Sequence, residues 1–441
     1  MSREENRRAR GGLLRRHRDF RLLWCGETAG RFGASVTGVT MPLIAVFRLD
    51  AEPFEVGLLT AASWLPWLVV GLPVGAWVDR MRRRPVMLAA AAASLVLFVA
   101  VPLADRAGLL SIGLLLAVAL LTGTAGVFFQ TAYTAYLAAL LTPEDQPEGN
   151  AKLHGSASAA QIAGLGSGGL LAQVAGAVNG MFVNAATFLV SLLCLAGIRH
   201  REPRVAPARR RPGALAGEVG EGLRLVAGDP WLRTLTLYGA AANLALMGYQ
   251  SILVVFLVRG VGLAPGPVGV LVAAGGAGGV LGAFLARRVA ARTGTARAIL
   301  LFALGLPAFA LLIPLTSGGA GLLFCVIGGG CVSAGIVAAN VVRATFQQRY
   351  CPPELLGRLT ASAAFLNYGT IPLGAVLAGS LGTLLGLRPA MWIMTAGVPL
   401  AALILLFSPL RRVRDLPTSR QPPRPQGARR PLGLRGTPEP G

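Results

Sequence analysis

Long apolar runs dominate the chain, and each run is bounded by charged residues or by Pro and Gly. A run of about 20 apolar residues is long enough to cross the hydrocarbon core of a bilayer as a helix. The pattern predicts twelve such helices, at 22–47, 56–78, 85–104, 109–131, 154–173, 177–198, 234–258, 267–286, 297–315, 320–341, 360–384 and 389–409. We therefore expect an all-α integral membrane protein with both termini on one side of the membrane.

The composition agrees with this interpretation and excludes other classes. The chain has 441 residues, of which 54% are hydrophobic and 14% charged, and its mean hydropathy is +0.61, which is too apolar for an ordinary soluble domain. The net charge of +22 does not indicate a nucleic-acid partner, because apolar runs separate the basic residues instead of leaving them on one soluble face.

No sequence pattern favours a cofactor or a catalytic centre. The five cysteines lack paired spacing. We therefore interpret them as small apolar residues that pack between helices, rather than as disulfide partners or metal ligands. The sequence has no phosphate-binding loop for ATP-driven transport, no nucleophile elbow and no paired carboxylates for chemistry on a substrate. We expect no metal, no cofactor and no enzymatic activity.

The distribution of basic residues predicts the orientation. One set of loops, together with both termini, contains 36 of the 41 Lys and Arg residues. Because cytoplasmic loops are enriched in Lys and Arg, we place both termini in the cytoplasm of a bacterial cell, with the spans in its cytoplasmic membrane. The same basic loops are expected to attract anionic lipid.

The spans fall into two sets of six. The predicted organisation is a basic cytoplasmic N-terminus, an N-terminal six-helix bundle, a central cytoplasmic linker with a short amphipathic helix, a C-terminal six-helix bundle and a disordered basic tail. The corresponding boundaries are 1–21, 22–198, 199–233, 234–409 and 410–441.

A weak internal repeat suggests that the two bundles are copies of one unit. The stretch "GLPVGAWVDRMRRR" from Gly71 aligns with "GVLGAFLARRVAAR" from Gly278, at an offset of 207 residues. The Pro-Glu pairs that begin at 143 and 353 repeat at a nearly equal offset of 210 residues. Parallel repeats of this kind occur in transporters that bind substrate between the halves. The pattern therefore predicts two six-helix pseudo-repeats.

The charged stretch between the second and third spans resembles a family signature. Gly75, Asp79, Arg80, Arg83 and Arg84 match the cytoplasmic motif of the major facilitator superfamily, although Arg82 replaces its second glycine. From Phe20 to Leu410 the chain is similar to the macrolide-efflux-like and siderophore-exporter-like branch. The resemblance implies the major facilitator fold, alternating access, and a motif that links the second span to the eleventh in the outward-facing state.

The residues of this motif suit a gate. Gly71 and Gly75 are one helical turn apart, so they leave one helix face open to a close neighbour. Asp79 follows at the cytoplasmic end of that face, where a carboxylate can accept hydrogen bonds from arginine. The alternative is that the arginines only anchor the topology.

Three uncharged polar residues within the spans are candidates for the substrate cavity, namely Asn243, Gln250 and Asn367. The resemblance implies that the seventh and eleventh helices, which carry them, contribute to a central cavity. Hydrogen bonding between helices is the alternative explanation for each of them.

Glu27 and Arg31 form the candidate proton-coupling pair. They are four residues apart in the first span, so they share one helix face, and a charge within the membrane ordinarily faces the bundle interior or water. The alternative is a static ion pair. The 207-residue offset places Thr234 and Tyr238 at the equivalent positions, so the second half is expected to lack a charged counterpart.

Taken together, these features predict a monomeric secondary transporter that exchanges protons for small amphipathic molecules, such as a drug, a macrolide-like compound, a siderophore or a secondary metabolite, and exports them. The alternatives are a uniporter or importer of a small nutrient and a membrane scaffold or sensor that does not transport.

Overall fold

The computed structural model describes residues 12–78, 80–200, 214–351 and 353–417. The predictions made for some segments lie outside the described residues. These segments are residues 1–11 of the basic N-terminus, Asp79, residues 201–213 of the linker, Pro352 and the tail from 418. The described residues form helices joined by short connections, without strands among them.

Each of the twelve predicted spans is a helix. We number them α1 to α12 in chain order: Arg18–Arg48, Pro53–Val69, Arg83–Arg106, Ile112–Leu140, Gln146–Ala175, Ala177–Gly197, Pro230–Gly260, Pro265–Thr293, Thr295–Leu315, Gly319–Tyr350, Pro353–Leu385 and Leu387–Leu406. Two shorter α-helices, Leu13–Arg16 and Ala214–Gly228, and a short 3-10 helix, Pro409–Arg412, lie outside this set among the described residues, and Gly71–Val78 continues α2.

Ten of these helices are long and apolar enough to span a membrane when judged over the described residues. The other two are α2, which has 17 residues before its continuation, and α5, which is rich in glycine and polar residues. Both pack against other helices through small residues, so less of their surface needs to be apolar.

Local sequence explains several helix ends. Ser111 accepts a hydrogen bond from the backbone nitrogen of Leu114 at the start of α4. Asp229 accepts from the first two backbone nitrogens after Pro230 at the start of α7, at 2.9 and 3.2 Å. Such caps satisfy backbone donors that have no partner within the helix.

Three helix-to-helix connections are a single glycine. Gly176, Gly294 and Gly386 have φ angles of +85°, +94° and +90°, a region that residues with a side chain rarely adopt. Gly176 joins α5 to α6, and Gly386 joins α11 to α12 at an offset of 210 residues. The same turn therefore occurs at the same place in each half.

The packing of the two halves repeats as well. α1 packs against α5 and α6, and α7 packs against α11 and α12 in the same way. The pairs α2–α4 and α3–α6 correspond to α8–α10 and α9–α12. The predicted pair of six-helix pseudo-repeats is therefore present in the fold.

The halves meet along two helix pairs, α2 with α11 and α5 with α8. We call the side at which α1 begins and α12 ends the terminal side, and the opposite side the far side. Small residues bring the helices together in the far half of the membrane. A Cβ atom added to Gly57 of α2 would lie 2.5 Å from the carbonyl oxygen of Ala375, and one added to Gly169 of α5 would lie 2.6 Å from the backbone nitrogen of Gly269.

Polar contacts at the far side add to this closure. The backbone nitrogen of Phe54 donates to the hydroxyl of Thr383 across 3.2 Å, and Arg259 forms an ion pair with Asp50. On the terminal side, in contrast, a Cβ atom added to Gly71, Gly75 or Gly155 would meet no described atom within 4 Å. The structure is thus closed at the far side.

We predict that Gly269→Ala opens the far side. The added methyl group would lie 2.7 Å from the Cα atom of Gly169, and backbone cannot yield to it without separating α5 from α8. Spin labels at Leu109→Cys and Ala320→Cys, in a background without the native cysteines, would report longer far-side distances by double electron–electron resonance.

Gly276→Ala is the matched control, because it makes the same change on α8 but leaves 3.9 Å to the nearest side-chain atom, Cδ1 of Leu165. Both changes raise helix propensity by about 1 kcal/mol, so only the steric contact differs. Identical distance distributions in the two variants would show that this contact does not control closure.

Candidate substrate cavity and its polar clusters

The first polar cluster joins α1 to α4. Glu27 is 8% exposed, and its carboxylate accepts a hydrogen bond from Nε of Arg31 across 2.7 Å. Arg31 also donates through Nη2 to Oε1 of Gln130 on α4, across 2.9 Å. Tyr133 follows one turn along α4 and is buried. The structure therefore shows the predicted pair as a formed ion pair.

The two members of the pair differ in exposure. The side chain of Arg31 is 47% exposed, although it lies well inside a span. Because a guanidinium in contact with hydrocarbon is very costly, we expect this exposed surface to face water between the helices. Glu27 lies behind it, on the side of α1 that packs into the N-terminal half.

Close packing fixes the helix that carries this pair. A Cβ atom added to Gly26 would lie 3.2 Å from Cβ of Cys194 on α6. Asn184 of α6 is fully buried and donates to the hydroxyl of Thr37 on α1. Asn184 therefore holds α1 against α6.

The second polar cluster lies in the C-terminal half and surrounds a cavity of about 40 Å³ between α7, α10 and α11. Nδ2 of Asn243 donates to Oδ1 of Asn367 across 3.4 Å, and Nδ2 of Asn367 donates to the backbone oxygen of Ala363 across 2.6 Å. The residues that line the cavity are Tyr238, Gly239, Ala242, Asn243, Leu246, Ile336, Ala339, Asn340, Arg343 and Asn367.

The structure brings two of the three cavity candidates together. Asn243 and Asn367 are in contact, whereas Gln250 lies two turns further along α7, is exposed, and does not line this cavity.

Arg343 was not predicted at this site. The apolar run of the tenth span ends near residue 341, so the sequence placed Arg343 in a loop at 342–359, but α10 continues to Tyr350. Thr234 and Tyr238 stand at the positions on α7 that correspond to Glu27 and Arg31, so α7 does not repeat the ion pair, and the charge at this cavity comes from Arg343 of α10 instead. The 210-residue offset between the fourth and tenth spans could have indicated this position, because it aligns Arg343 with Tyr133, which lies within α4.

Arginines of the basic stretch after α2 form hydrogen bonds with the backbone of neighbouring helices in the N-terminal half. Arg84 donates through Nε to the carbonyl of Leu195 across 3.0 Å and through Nη2 to that of Ala196 across 2.6 Å. Arg83 donates to the carbonyl of Ala135 across 3.5 Å. A cation at a helix C-terminus stabilises its free carbonyls. Arg80, in contrast, is exposed.

An aromatic cluster connects the halves near the middle of the membrane. The ring of Tyr368 on α11 lies 5.8 Å from that of Trp64 and 5.6 Å from that of Trp67, both on α2. Further toward the far side, an apolar groove of about 650 Å³ lies between α2, α4 and α11.

The sequence matches the model of the Major Facilitator Superfamily over residues 23–372. This chain belongs to the major facilitator superfamily. It is therefore a multi-pass membrane transporter of small molecules rather than an enzyme, and the predicted fold and family are confirmed.

Relatives in this superfamily include efflux proteins. The chain is 30% identical over 409 residues to the multidrug efflux pump Tap of Mycolicibacterium fortuitum, and the alignment covers 90% of this chain and 96% of Tap. It is 27% identical over 409 residues to Tap of Mycobacterium tuberculosis, with 90% and 94% covered. These relatives agree with the efflux-type branch that the sequence resembles.

Solved structures of major facilitator proteins share the fold. A bacterial homologue of the iron transporter ferroportin in its inward-facing state has a TM-score of 0.70 and 16% identity, with 90% of this chain and 99% of that one covered. The nucleoside transporter NupG has a TM-score of 0.70 and 10% identity, with 88% and 98% covered.

We predict that Arg84→Gln lowers the thermal stability of the protein. The change removes two charge-assisted hydrogen bonds to the end of α6, which together contribute roughly 1–2 kcal/mol. A fluorescence melting curve of the purified protein in nanodiscs should shift down by a few degrees. Arg82→Gln is the control, since Arg82 is exposed, and an equal shift in both variants would contradict the assigned role of Arg84.

Proposed function

We propose that this transporter exports small amphipathic molecules across the bacterial cytoplasmic membrane in exchange for protons. The observation that carries the proposal is a buried carboxylate paired with a half-exposed arginine: Glu27 is 8% exposed, and its partner Arg31 is 47% exposed. Relatives that span nearly the whole chain are named multidrug efflux pumps, which supports the outward direction.

Glu27 is the proposed proton carrier. Among the described residues, the buried carboxylates are Glu27 and Asp229, and Asp229 is occupied with capping α7 and accepting a hydrogen bond from Tyr350 across 2.7 Å. Protonation of Glu27 would remove its charge and free Arg31 to rearrange, whereas deprotonation would restore the pair. The pair is therefore a switch that a change in hydration can move.

The orientation follows from the basic loops. We assign the terminal side to the cytoplasm, so that both termini are cytoplasmic and anionic lipid binds at the basic loops. A protein closed at its far side is then inward-facing, and the formed pair corresponds to the stage at which the proton has left toward the cytoplasm. The bundles 22–198 and 234–409 move against each other within one monomer, and the linker 199–233 connects them.

The glycine motif is the proposed gate of the alternate state. Gly71 and Gly75 have open space beside them in the inward-facing state. We infer that α11 approaches them when the terminal side closes, where Asp79 and Arg80 then hold it. The prediction of a disordered tail over 410–441 is wrong for residues 410–417, because Leu410 and Leu416 are buried and Asp415 accepts a hydrogen bond from the backbone nitrogen of Thr295 across 2.8 Å. For the tail from 418 we propose only a loose attraction to the membrane surface.

We predict that Glu27→Gln abolishes export driven by a pH gradient but preserves substrate exchange at equal concentrations. Glutamine can still accept a hydrogen bond from Arg31 but cannot carry a proton. Inverted vesicles with an imposed pH gradient, tested with a panel of amphipathic antibiotics and dyes, measure the first activity, and counterflow in proteoliposomes measures the second.

Glu148→Gln is the matched control, because Glu148 lies at the start of α5 and accepts from the backbone of Leu13. Gradient-driven accumulation by the Glu27→Gln protein at wild-type abundance would contradict the coupling role and make the pair structural. Gradient-independent movement of the panel by the wild-type protein would instead indicate a uniporter, and no movement a scaffold or sensor.

We predict that Asp79→Asn reduces the fraction of outward-facing molecules by weakening the gate of that state, without preventing membrane insertion. The far-side spin labels described above measure the two populations. Asp415→Asn serves as the control, because Asp415 binds the start of α9 through Thr295. Unchanged populations in the Asp79 variant would leave the arginines with an anchoring role alone.

A further inference from the structure

The two polar clusters occupy equivalent places in the internal repeat. With the 210-residue offset between the fourth and tenth spans, Gln130 corresponds to Asn340 and Tyr133 corresponds to Arg343. With the 207-residue offset between the first and seventh spans, Arg31 corresponds to Tyr238. At these equivalent positions each cluster thus has one arginine, one tyrosine and one amide, but the arginine and the tyrosine have exchanged helices.

The clusters differ in charge balance. Arg31 has a carboxylate at 2.7 Å, whereas none of the described carboxylates forms an ion pair with Arg343. The residue equivalent to Glu27 is Thr234, whose hydroxyl donates to the backbone oxygen of Pro230 across 2.7 Å. The described surroundings of Arg343 are therefore neutral.

A guanidinium in such a place is costly. Amides and a phenol can satisfy hydrogen bonds, but they do not neutralise a charge that is largely removed from bulk water. Arg343 lines the cavity together with three amides, those of Asn243, Asn340 and Asn367. A guanidinium that lines a small polar cavity without a neutralising carboxylate among the described residues is suited to bind an anion.

We propose that Arg343 binds the anionic group of an amphipathic substrate, such as a carboxylate or a sulfonate, so that organic acids and zwitterions are the favoured class. This inference rests on the proposed transport function, because it names the class of molecule that the transporter carries. The side chains of Asn243, Asn340 and Asn367 provide a polar lining beside Arg343.

The size of the cavity agrees with a charged group rather than a whole substrate. A volume of about 40 Å³ has room for roughly three water molecules, at about 10–15 Å³ each by the same measure. A carboxylate or sulfonate fits this space, and the apolar body of the molecule would extend past Leu246 and Ile336 into the space between the halves.

Two fluorescent probes test the proposal without any gradient. Anilinonaphthalene sulfonate and N-phenylnaphthylamine share one aromatic skeleton and differ in the sulfonate. Their binding to protein in nanodiscs is followed by energy transfer from the tryptophans, of which Trp64 and Trp67 lie near the middle of the membrane on α2. We expect Arg343→Gln to weaken sulfonate binding by at least about tenfold, as for other buried charge pairs, and to change binding of the neutral probe less than about twofold.

Two further variants complete the design. Arg343→Lys keeps the charge without the planar fork, and should lose less affinity for the sulfonate than Arg343→Gln does. Arg349→Gln is the matched control, because Arg349 lies on the same helix and is exposed, and it should leave both probes unaffected.

Equal sulfonate binding by wild type and Arg343→Gln would overturn the proposal, and so would an equal loss of both probes, which indicates damage to the fold. Weaker sulfonate binding in chloride than in gluconate, seen in wild type and absent in Arg343→Gln, would support it by showing that small anions compete at the same arginine. Failure of gradient-driven export with intact sulfonate selectivity would refute the coupling while leaving this site in place.

Discussion

A charged group inside a membrane is stable only where it has a partner or faces water, and this cost organises the whole molecule. The protein concentrates its basic residues in loops and admits very few charges into its spans. Where it does admit them, the cost is offset in different ways: Glu27 and Arg31 neutralise each other at 2.7 Å, and Arg343 lies at a cavity lined by amides. The places where charge enters the bundle are therefore the places at which we propose that the transporter responds to a proton or to a charged substrate.

Small residues provide the second condition for transport, which is a contact that can form and break. Glycines in α5 and α8 allow their backbones to approach so closely that a single Cβ atom would collide. Contacts between backbones of this kind gain dispersion energy without ordering long side chains. Gly71 and Gly75, in contrast, have open space beside them, and we propose that they form the corresponding contact when the terminal side closes.

Duplication explains both the similarity and the difference between the halves. The glycine connections at Gly176 and Gly386 and the repeated helix neighbours show that the two bundles share one plan. Their polar clusters have diverged within that plan, since the arginine comes from α1 in one half and from α10 in the other. One half thus contains the Glu27–Arg31 ion pair, and the other contains Arg343, which has no ion-pair partner among the described carboxylates.

The sequence by itself determined the spans, their number and the class of protein, because burial of apolar residues in lipid is a local property that a run of about 20 residues reveals. It also determined the Glu27–Arg31 pair, because two residues four positions apart on a helix are neighbours whatever the rest of the chain does. It could not determine that Gln130 completes that pair, or that Asn243 and Asn367 meet while Gln250 does not. Those contacts join distant helices, and only the packing of the bundle decides which faces turn inward. Arg343 shows the limit most clearly: a charge that ends an apolar run marks the edge of the membrane for a helix in lipid, but not for a helix that lines a polar cavity, and only the tertiary structure distinguishes the two.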